Sequence, residues 1–294
     1  MNGLLFPGQG SQEVGMGRAL YDAYPPARAI LDEANDALGY DLKSIMFSDS
    51  TGRLNETQYA QPAIYTCSAM YLAKLRENGV LYDYVAGHSL GEYSALYAAE
   101  VFDFVTGLEL VMRRSEAMSR MNGRGAMAAV LGLTEADLAP YLDHGVVMAN
   151  LNSATQIVVS GEITKLEALE KALATRESVS FKTLRVSAAF HSAQMAEAAE
   201  IITPLIQRTD FAPPKCFVVS NVTGKPTKDV QTIKSNLIKQ TTGQVRWYDS
   251  IMALKQAGVS TLYEVGHGRV LTKLNKTITF RPKCVASEAW YASF

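Results

Sequence analysis

The sequence predicts an α/β fold with a mainly parallel sheet and a small α+β unit inserted into it. Three observations carry this expectation. Short apolar runs alternate with helix-forming stretches over most of the chain, the arrangement of a parallel sheet covered on both faces. Residues 125–186 break that rhythm and run strand, helix, strand, strand, helix, strand. The 294 residues are also about twice one typical domain, so two units are expected.

Taken in order, Leu4-Leu5-Phe6 is a short apolar run stopped by Pro7-Gly8-Gln9-Gly10, which reads as a buried strand ending in a tight turn. A helix follows from about Met16, and helical stretches continue to about Gly79, including residues 63–75. Residues 82–86 are a second strand, entering Gly87-His88-Ser89-Leu90-Gly91-Glu92-Tyr93 and then the helix-forming Ala95-Leu96-Tyr97-Ala98-Ala99. In the insert, residues 126–133 form a strand and 134–142 a helix opened by Thr134 as N-cap. Residues 146–150 and 156–160 are strands, 165–175 a helix and 181–186 a last strand. Four strands and two helices in that order are the split-βαβ, ferredoxin-like pattern. The expected small unit is 124–189, and the large one is 1–123 with 190–294. Beyond His191 come a helix at 193–207, a strand at 216–220, a helix at 249–257 and a strand at 261–265 that ends at Gly266-His267-Gly268. Reactive groups in such sheets gather beyond the carboxyl ends of the strands.

Composition narrows the function. With 48% hydrophobic and 19% charged residues the chain is an ordinary globular one. Its 28 Lys+Arg against 29 Asp+Glu leave a net charge of -1, which gives no bulk attraction for nucleic acid or an anionic membrane. The three cysteines, Cys67, Cys216 and Cys284, are widely spaced and form no C-x-x-C pair, pointing to a reducing compartment. No basic region precedes the short apolar start, and no apolar run reaches the roughly 18 residues a membrane helix needs. A cytoplasmic protein with no membrane or nucleic-acid partner is expected.

Gly87-His88-Ser89-Leu90-Gly91 matches G-x-S-x-G, a strand-to-helix elbow that presents its serine at a helix N-terminus, as in α/β-hydrolase-like folds. Ser89 is the candidate nucleophile and needs a base within hydrogen-bonding reach. The chain has four histidines. His88 lies in the same turn and suits a supporting or substrate-lining role; His144 sits in a polar Asp-His-Gly turn and is expected at the surface. His191 follows Ser187-Ala188-Ala189-Phe190, where the insert returns to the large unit, and His267 follows the strand at 261–265, where an α/β-hydrolase carries its base. Spacing alone leaves both open.

Phe6-Pro7-Gly8-Gln9-Gly10-Ser11-Gln12, Gly87 to Tyr93 and Ala189-Phe190-His191-Ser192, in this order, resemble malonyl-CoA:acyl-carrier-protein transacylases. So do Gly125-Ala126-Met127-Ala128-Ala129, Asn152, Gln156 to Gly161 and Tyr263-Glu264-Val265-Gly266, so the likeness covers essentially the whole chain. The resemblance implies that Ser89 is acylated with His191 as its base, which settles the contest against His267. It implies a main-chain carbonyl near Gln244-Val245-Arg246-Trp247 holding the second imidazole nitrogen, since an arginine side chain there can only donate. It implies an oxyanion hole from the Gln9 and Leu90 amides, with Gly8 and Gly10 allowing the close approach. It assigns the malonyl carboxylate to Arg113, with Arg114 the neighbour whose side chain must point about 100° away. Phe190 is expected to favour malonyl over branched acyl groups, and His88 to line the substrate site.

The function implied is ping-pong transfer of malonyl from malonyl-CoA to acyl carrier protein by a monomer, without metal or redox cofactor, supplying fatty-acid synthesis. A polyketide carrier protein is the alternative acceptor, and a serine hydrolase the more distant one. His267 stands where relatives often have proline. Arg269, Lys273, Lys276, Arg281 and Lys283, with no acidic residue among them, offer a docking surface for an acidic carrier protein.

Overall fold

Strand β1 (Asn2–Phe6) runs through the centre of the main sheet in a computed structural model that describes residues 1–143, 145–279 and 281–291. His144 lies outside the described residues. Leu4, Leu5 and Phe6 are all fully buried, and they alternate as a strand requires. Leu4 and Phe6 join one apolar cluster with the helix Thr57–Glu77, whereas Leu5 joins Ala86, Val219, Trp247 and Leu262 on the other face. Both faces of β1 are thus covered, as expected of a parallel sheet.

The first sheet adds β2 (Tyr84–Gly87), β7 (Phe217–Val219), β8 (Pro226–Thr227), β9 (Thr261–Glu264) and β10 (Lys283–Val285). Its order is β10-β9-β1-β2-β7-β8. All pairings are parallel except β7 with β8. Phe6 is paired with Gly87, so the turns that follow β1 and β2 leave the sheet side by side. That register places residues 7–10 against residues 88–90.

The second sheet is built from β3 (Ala126–Leu131), β4 (Val146–Ser153), β5 (Gln156–Gly161) and β6 (Ser180–Thr183). It is antiparallel, in the order β4-β5-β3-β6. Ala128, Val130, Ile157 and Val159 on one face pack with Leu166, Leu169 and Leu173 of the helix Ile163–Leu173. Met127, Ala129, Ala149 and Val158 on the other face join the main core. The Leu151 and Val245 amides donate to the Val245 and Ala149 carbonyls, at 2.9 and 2.8 Å, stitching β4 to the main sheet's side of the molecule.

Local physics moved several boundaries. Thr134 caps its helix with a reciprocal bond to Asp137, but the helix stops at Leu138 because Pro140 turns the chain into a 3-10 segment. The strand expected at 181–186 ends at Thr183, after which the Leu184 amide makes a separate bond to the Met127 carbonyl. The early helix starts at Arg18, after Gly17 at φ 75°. No helix among the described residues is long and apolar enough to cross a membrane, and Cys67, Cys216 and Cys284 are free thiols.

Candidate active site

The turn after β2 holds its serine under strain. Ser89 has φ 52°, one of four non-glycine residues with positive φ among those described; His191, at 57°, is another. Such a turn fits only if its neighbours are small. A Cβ on Gly91 would lie 2.0 Å from the Phe6 carbonyl oxygen, and one on Gly8 would lie 2.3 Å from that of His88. The elbow is then clamped from the far side by Asn221: its Oδ1 accepts from the Ser89 amide at 2.7 Å, and its Nδ2 donates to the Gly87 carbonyl at 2.6 Å.

The Ser89 hydroxyl lies 2.7 Å from His191 Nε2, the distance for a proton to pass from Oγ to the ring. The Nδ1–H of His191 donates to the main-chain carbonyls of Gln240 and Gly243, each at 3.0 Å, which fixes the tautomer with Nε2 free to accept. The holding groups are main-chain carbonyls near Gln244–Trp247, as expected: Gly243 adjoins that segment and Gln240 lies four residues before it. Burial, together with the neighbouring Arg114 charge, pushes the imidazole down to about 3, so the ring is neutral at ordinary pH. His267 is remote from this arrangement: its Nε2 is 3.4 Å from Glu13 Oε2, and it lines no part of the cavity around Ser89.

The arginine assignment is corrected by the structure. Arg113 points outward from the helix Phe104–Ser119, its side chain 48% exposed and paired with Glu116 at 3.1 Å. Arg114 points inward and is fully buried. One Nη of Arg114 donates to Gln61 Oε1 at 2.7 Å, and the other to both Ser89 Oγ and Gln240 Oε1 at 3.1 Å. The two side chains diverge because successive helical residues are about 100° apart, and the buried stripe of this helix runs Gly107, Val111, Arg114, Met118. Arg114 therefore replaces Arg113 beside the nucleophile.

Three further polar residues at the site carry no motif of their own. Gln240, at the end of the helix Val230–Gln240, donates from Nε2 to the Ser89 carbonyl at 2.8 Å and to Glu92 Oε2 at 2.7 Å. Glu92 is buried beneath the elbow, and burial raises its carboxyl to about 7 despite its bonds to Gln240 and Asn221. Gln61 comes from the long helix Thr57–Glu77. Glu92 directly follows the G-x-S-x-G elbow, but nothing in its spacing distinguishes it from a surface carboxylate. Gln240 and Gln61 are legible only as polar residues inside otherwise apolar helical stripes.

A cavity of about 880 Å³ opens from Ser89 between the two sheets. Gln9, Leu90, His88 and Phe190 line it with His191 and Arg114. Among the described residues, neither the Gln9 nor the Leu90 main-chain amide donates to a protein acceptor, so both remain available to a ligand oxygen. The His88 Nε2–H donates to Asn152 Oδ1 at 2.9 Å, tying the elbow to β4. Farther out the lining includes Arg185, Val270, Lys273 and Thr277, which puts part of the basic stretch at the mouth.

The chain matches the family model described as an acyl transferase domain over residues 4–277. It is 44% identical over 279 residues to a polyketide biosynthesis malonyl CoA-acyl carrier protein transacylase of Bacillus subtilis, covering 92% of this chain and 94% of that one. The crystal structure of the malonyl-CoA:ACP transacylase of Synechocystis superposes with a TM-score of 0.90 at 40% identity, over 97% of this chain and 96% of that chain. A malonyl-transacylase solved in complex with its type II polyketide acyl-carrier protein offers a third likeness. Its TM-score is 0.92 at 34% identity, over 97% of this chain and 95% of that one.

Proposed function

The chain belongs to the acyl transferase family, and on that premise we propose that it moves a malonyl group from malonyl-CoA to the phosphopantetheine thiol of an acyl carrier protein. One observation carries the reading: Ser89 Oγ sits 2.7 Å from His191 Nε2 and 3.1 Å from a guanidinium nitrogen of buried Arg114. A nucleophile, its base and a fixed cation for a free carboxylate meet at one point of the cavity.

In this mechanism Arg114 takes the malonyl carboxylate in its fork. His191 Nε2 accepts the Ser89 proton as Oγ attacks the thioester carbonyl. The Gln9 and Leu90 amides stabilise the oxyanion, each worth on the order of 10² to 10³ in rate. The tetrahedral intermediate collapses, the C–S bond breaks, and His191 returns the proton to the departing CoA thiolate. The carrier protein's thiol then gives its proton to His191 and attacks the malonyl-Ser89 ester, and collapse restores Ser89 and its proton. Serine, imidazole and two amides supply every step, so the reaction calls for neither metal nor redox cofactor. Phe190 closes the cavity beside the acyl group and favours malonyl over branched analogues.

The protein works as a cytoplasmic monomer, and Lys273, Lys276 and Arg269, exposed beside the cavity mouth, receive the acidic carrier protein. The acceptor is the carrier of fatty-acid synthesis. A polyketide carrier is the second reading, favoured by the 44% identity to the Bacillus subtilis polyketide enzyme. Intact-protein mass spectrometry after mixing with malonyl-CoA, then with a phosphopantetheinylated carrier, tests the proposal. A malonyl adduct on the Ser89 peptide that moves to the carrier is expected; an adduct lost equally fast to water, or none, overturns it. Rates with the two kinds of carrier decide the acceptor.

A further inference from the structure

Arg114 is a buried cation without a counterion. It is fully buried, and its hydrogen-bond acceptors are all neutral oxygens: Gln61 Oε1, Gln240 Oε1 and Ser89 Oγ. No carboxylate among the described residues forms a salt bridge with it, and its Nε has no hydrogen-bond partner. A charge buried in this way is costly, yet a carboxylate is at hand. Glu92 is buried one amide away, and the side chain of Gln240 stands between the two groups: Oε1 accepts from Arg114 at 3.1 Å, and Nε2 donates to Glu92 at 2.7 Å. The amide is the right spacer, because its carbonyl faces the cation and its NH₂ faces the carboxylate, which fixes its orientation.

Resting on the reading of Arg114 as the malonyl carboxylate's partner, we infer that Gln240 is a positioning residue for acyl selectivity. It keeps Glu92 off Arg114, so that the guanidinium's missing countercharge is supplied by the substrate's own carboxylate. A carboxylate bonded directly to Arg114 would occupy the fork and cancel its charge, and a bound malonyl group would have to displace it from within the protein. Two glutamines hold the guanidinium in place without doing either. The same residue touches the nucleophile side, since its main-chain carbonyl accepts from His191 and its Nε2 donates to the Ser89 carbonyl. One side chain thus sets the charge of the acyl pocket while its backbone sets the base.

Gln240→Glu tests this by putting a carboxyl on Arg114 in nearly the same shape; it also removes the donors to Glu92 and the Ser89 carbonyl, a loss that acts on both substrates and leaves their ratio to report the change at Arg114. Ser89 acylation is followed by intact mass with malonyl-CoA and with acetyl-CoA, and the ratio of the two kcat/KM values is the readout. The ratio is expected to fall about a hundredfold relative to the wild-type protein, from a rise in KM for malonyl-CoA in particular. Gln61→Glu, which places a carboxylate on the other Nη without touching Glu92, Ser89 or His191, is expected to lower the ratio in the same direction and guards against misfolding of the first variant. An equal fall for both substrates, the mark of a merely structural role, or an unchanged ratio in Gln61→Glu, overturns the inference and leaves the malonyl reading standing if the wild type prefers malonyl. A wild type with no such preference overturns both.

Discussion

The two sides of the acyl cavity are built by different means. On the nucleophile side, Gln9, Ser89 and Leu90 come from two turns that leave adjacent strands in register, Phe6 opposite Gly87. Their geometry is a property of the backbone: a serine at φ 52° and glycines whose place no larger residue could take. On the guanidinium side, Arg114, Gln61 and Gln240 come from three separate helices, with sequence separations of 53 and 126 between the bonded partners. Their geometry is a property of side chains meeting in a core. A backbone-built site demands particular residues at fixed local spacing, whereas a side-chain-built site needs only one suitable polar residue on each buried stripe.

The largest effect should come from the backbone-built side. Ser89→Ala removes the acceptor oxygen, and a loss of about 10⁴ or more in malonyl transfer is expected, by analogy with deletion of other activated serines. Labelled malonyl persisting on that variant places the nucleophile elsewhere. On the side-chain-built side the expected effect is a change of preference rather than a loss of chemistry. Arg114→Ala should lower the malonyl-to-acetyl ratio of kcat/KM by about 10² or more, the worth of a desolvated charge-assisted fork. Competition between malonyl-CoA and acetyl-CoA measures it, and an unchanged ratio removes Arg114 from acyl recognition.

The same contrast explains what could be read in advance. The strand, elbow and helix around Ser89, and the β-α-β-β-α-β order of the second sheet, are local patterns of short range, so the sequence displays them. The placing of His191 against Ser89 came from family likeness, because both histidines follow apolar segments and no local rule separates them. The resemblance assigns the carboxylate to Arg113, whereas helical periodicity separates it from Arg114. Arg114 falls on the stripe Gly107, Val111, Met118, whereas Arg113 shares its face with Glu109 and Glu116. Gln240 falls on the buried stripe Ile233, Asn236, Leu237 of its helix, but periodicity marks only its burial, not the partner 126 residues away that it meets.

A smaller effect tests how the buried carboxylate fits between the two sides. Burial raises Glu92 from its ordinary value of 4.5 to about 7. A group whose folded value is raised contributes stability that is complete below its unfolded value and lost as pH rises through the folded one. The wild-type protein should therefore lose thermal stability relative to Glu92→Gln as pH increases from about 4.5 to 7. Thermal unfolding of both proteins across that window measures the difference. Parallel curves would mean that the carboxyl titrates as it does in the unfolded chain and that no charge is withheld from Arg114's surroundings.

The smallest effect is expected at Arg113, and it sharpens the comparison most directly because one residue separates it from Arg114. Its guanidinium is half exposed and pairs with Glu116 within the same helix. Such a pair is worth about 0.3 to 0.5 kcal/mol, less in salt. Arg113→Ala should thus shift unfolding free energy by no more than about that amount and leave the malonyl-to-acetyl ratio unaltered. Measured beside Arg114→Ala, it separates the electrostatic work of a desolvated cation from that of a solvated one with identical chemistry. If Arg113→Ala also lowered the ratio, the acyl carboxylate would be responding to the net charge of the whole helix face. A single inward-pointing guanidinium would then not be what reads it, and holding that guanidinium on neutral acceptors would contribute nothing to selectivity.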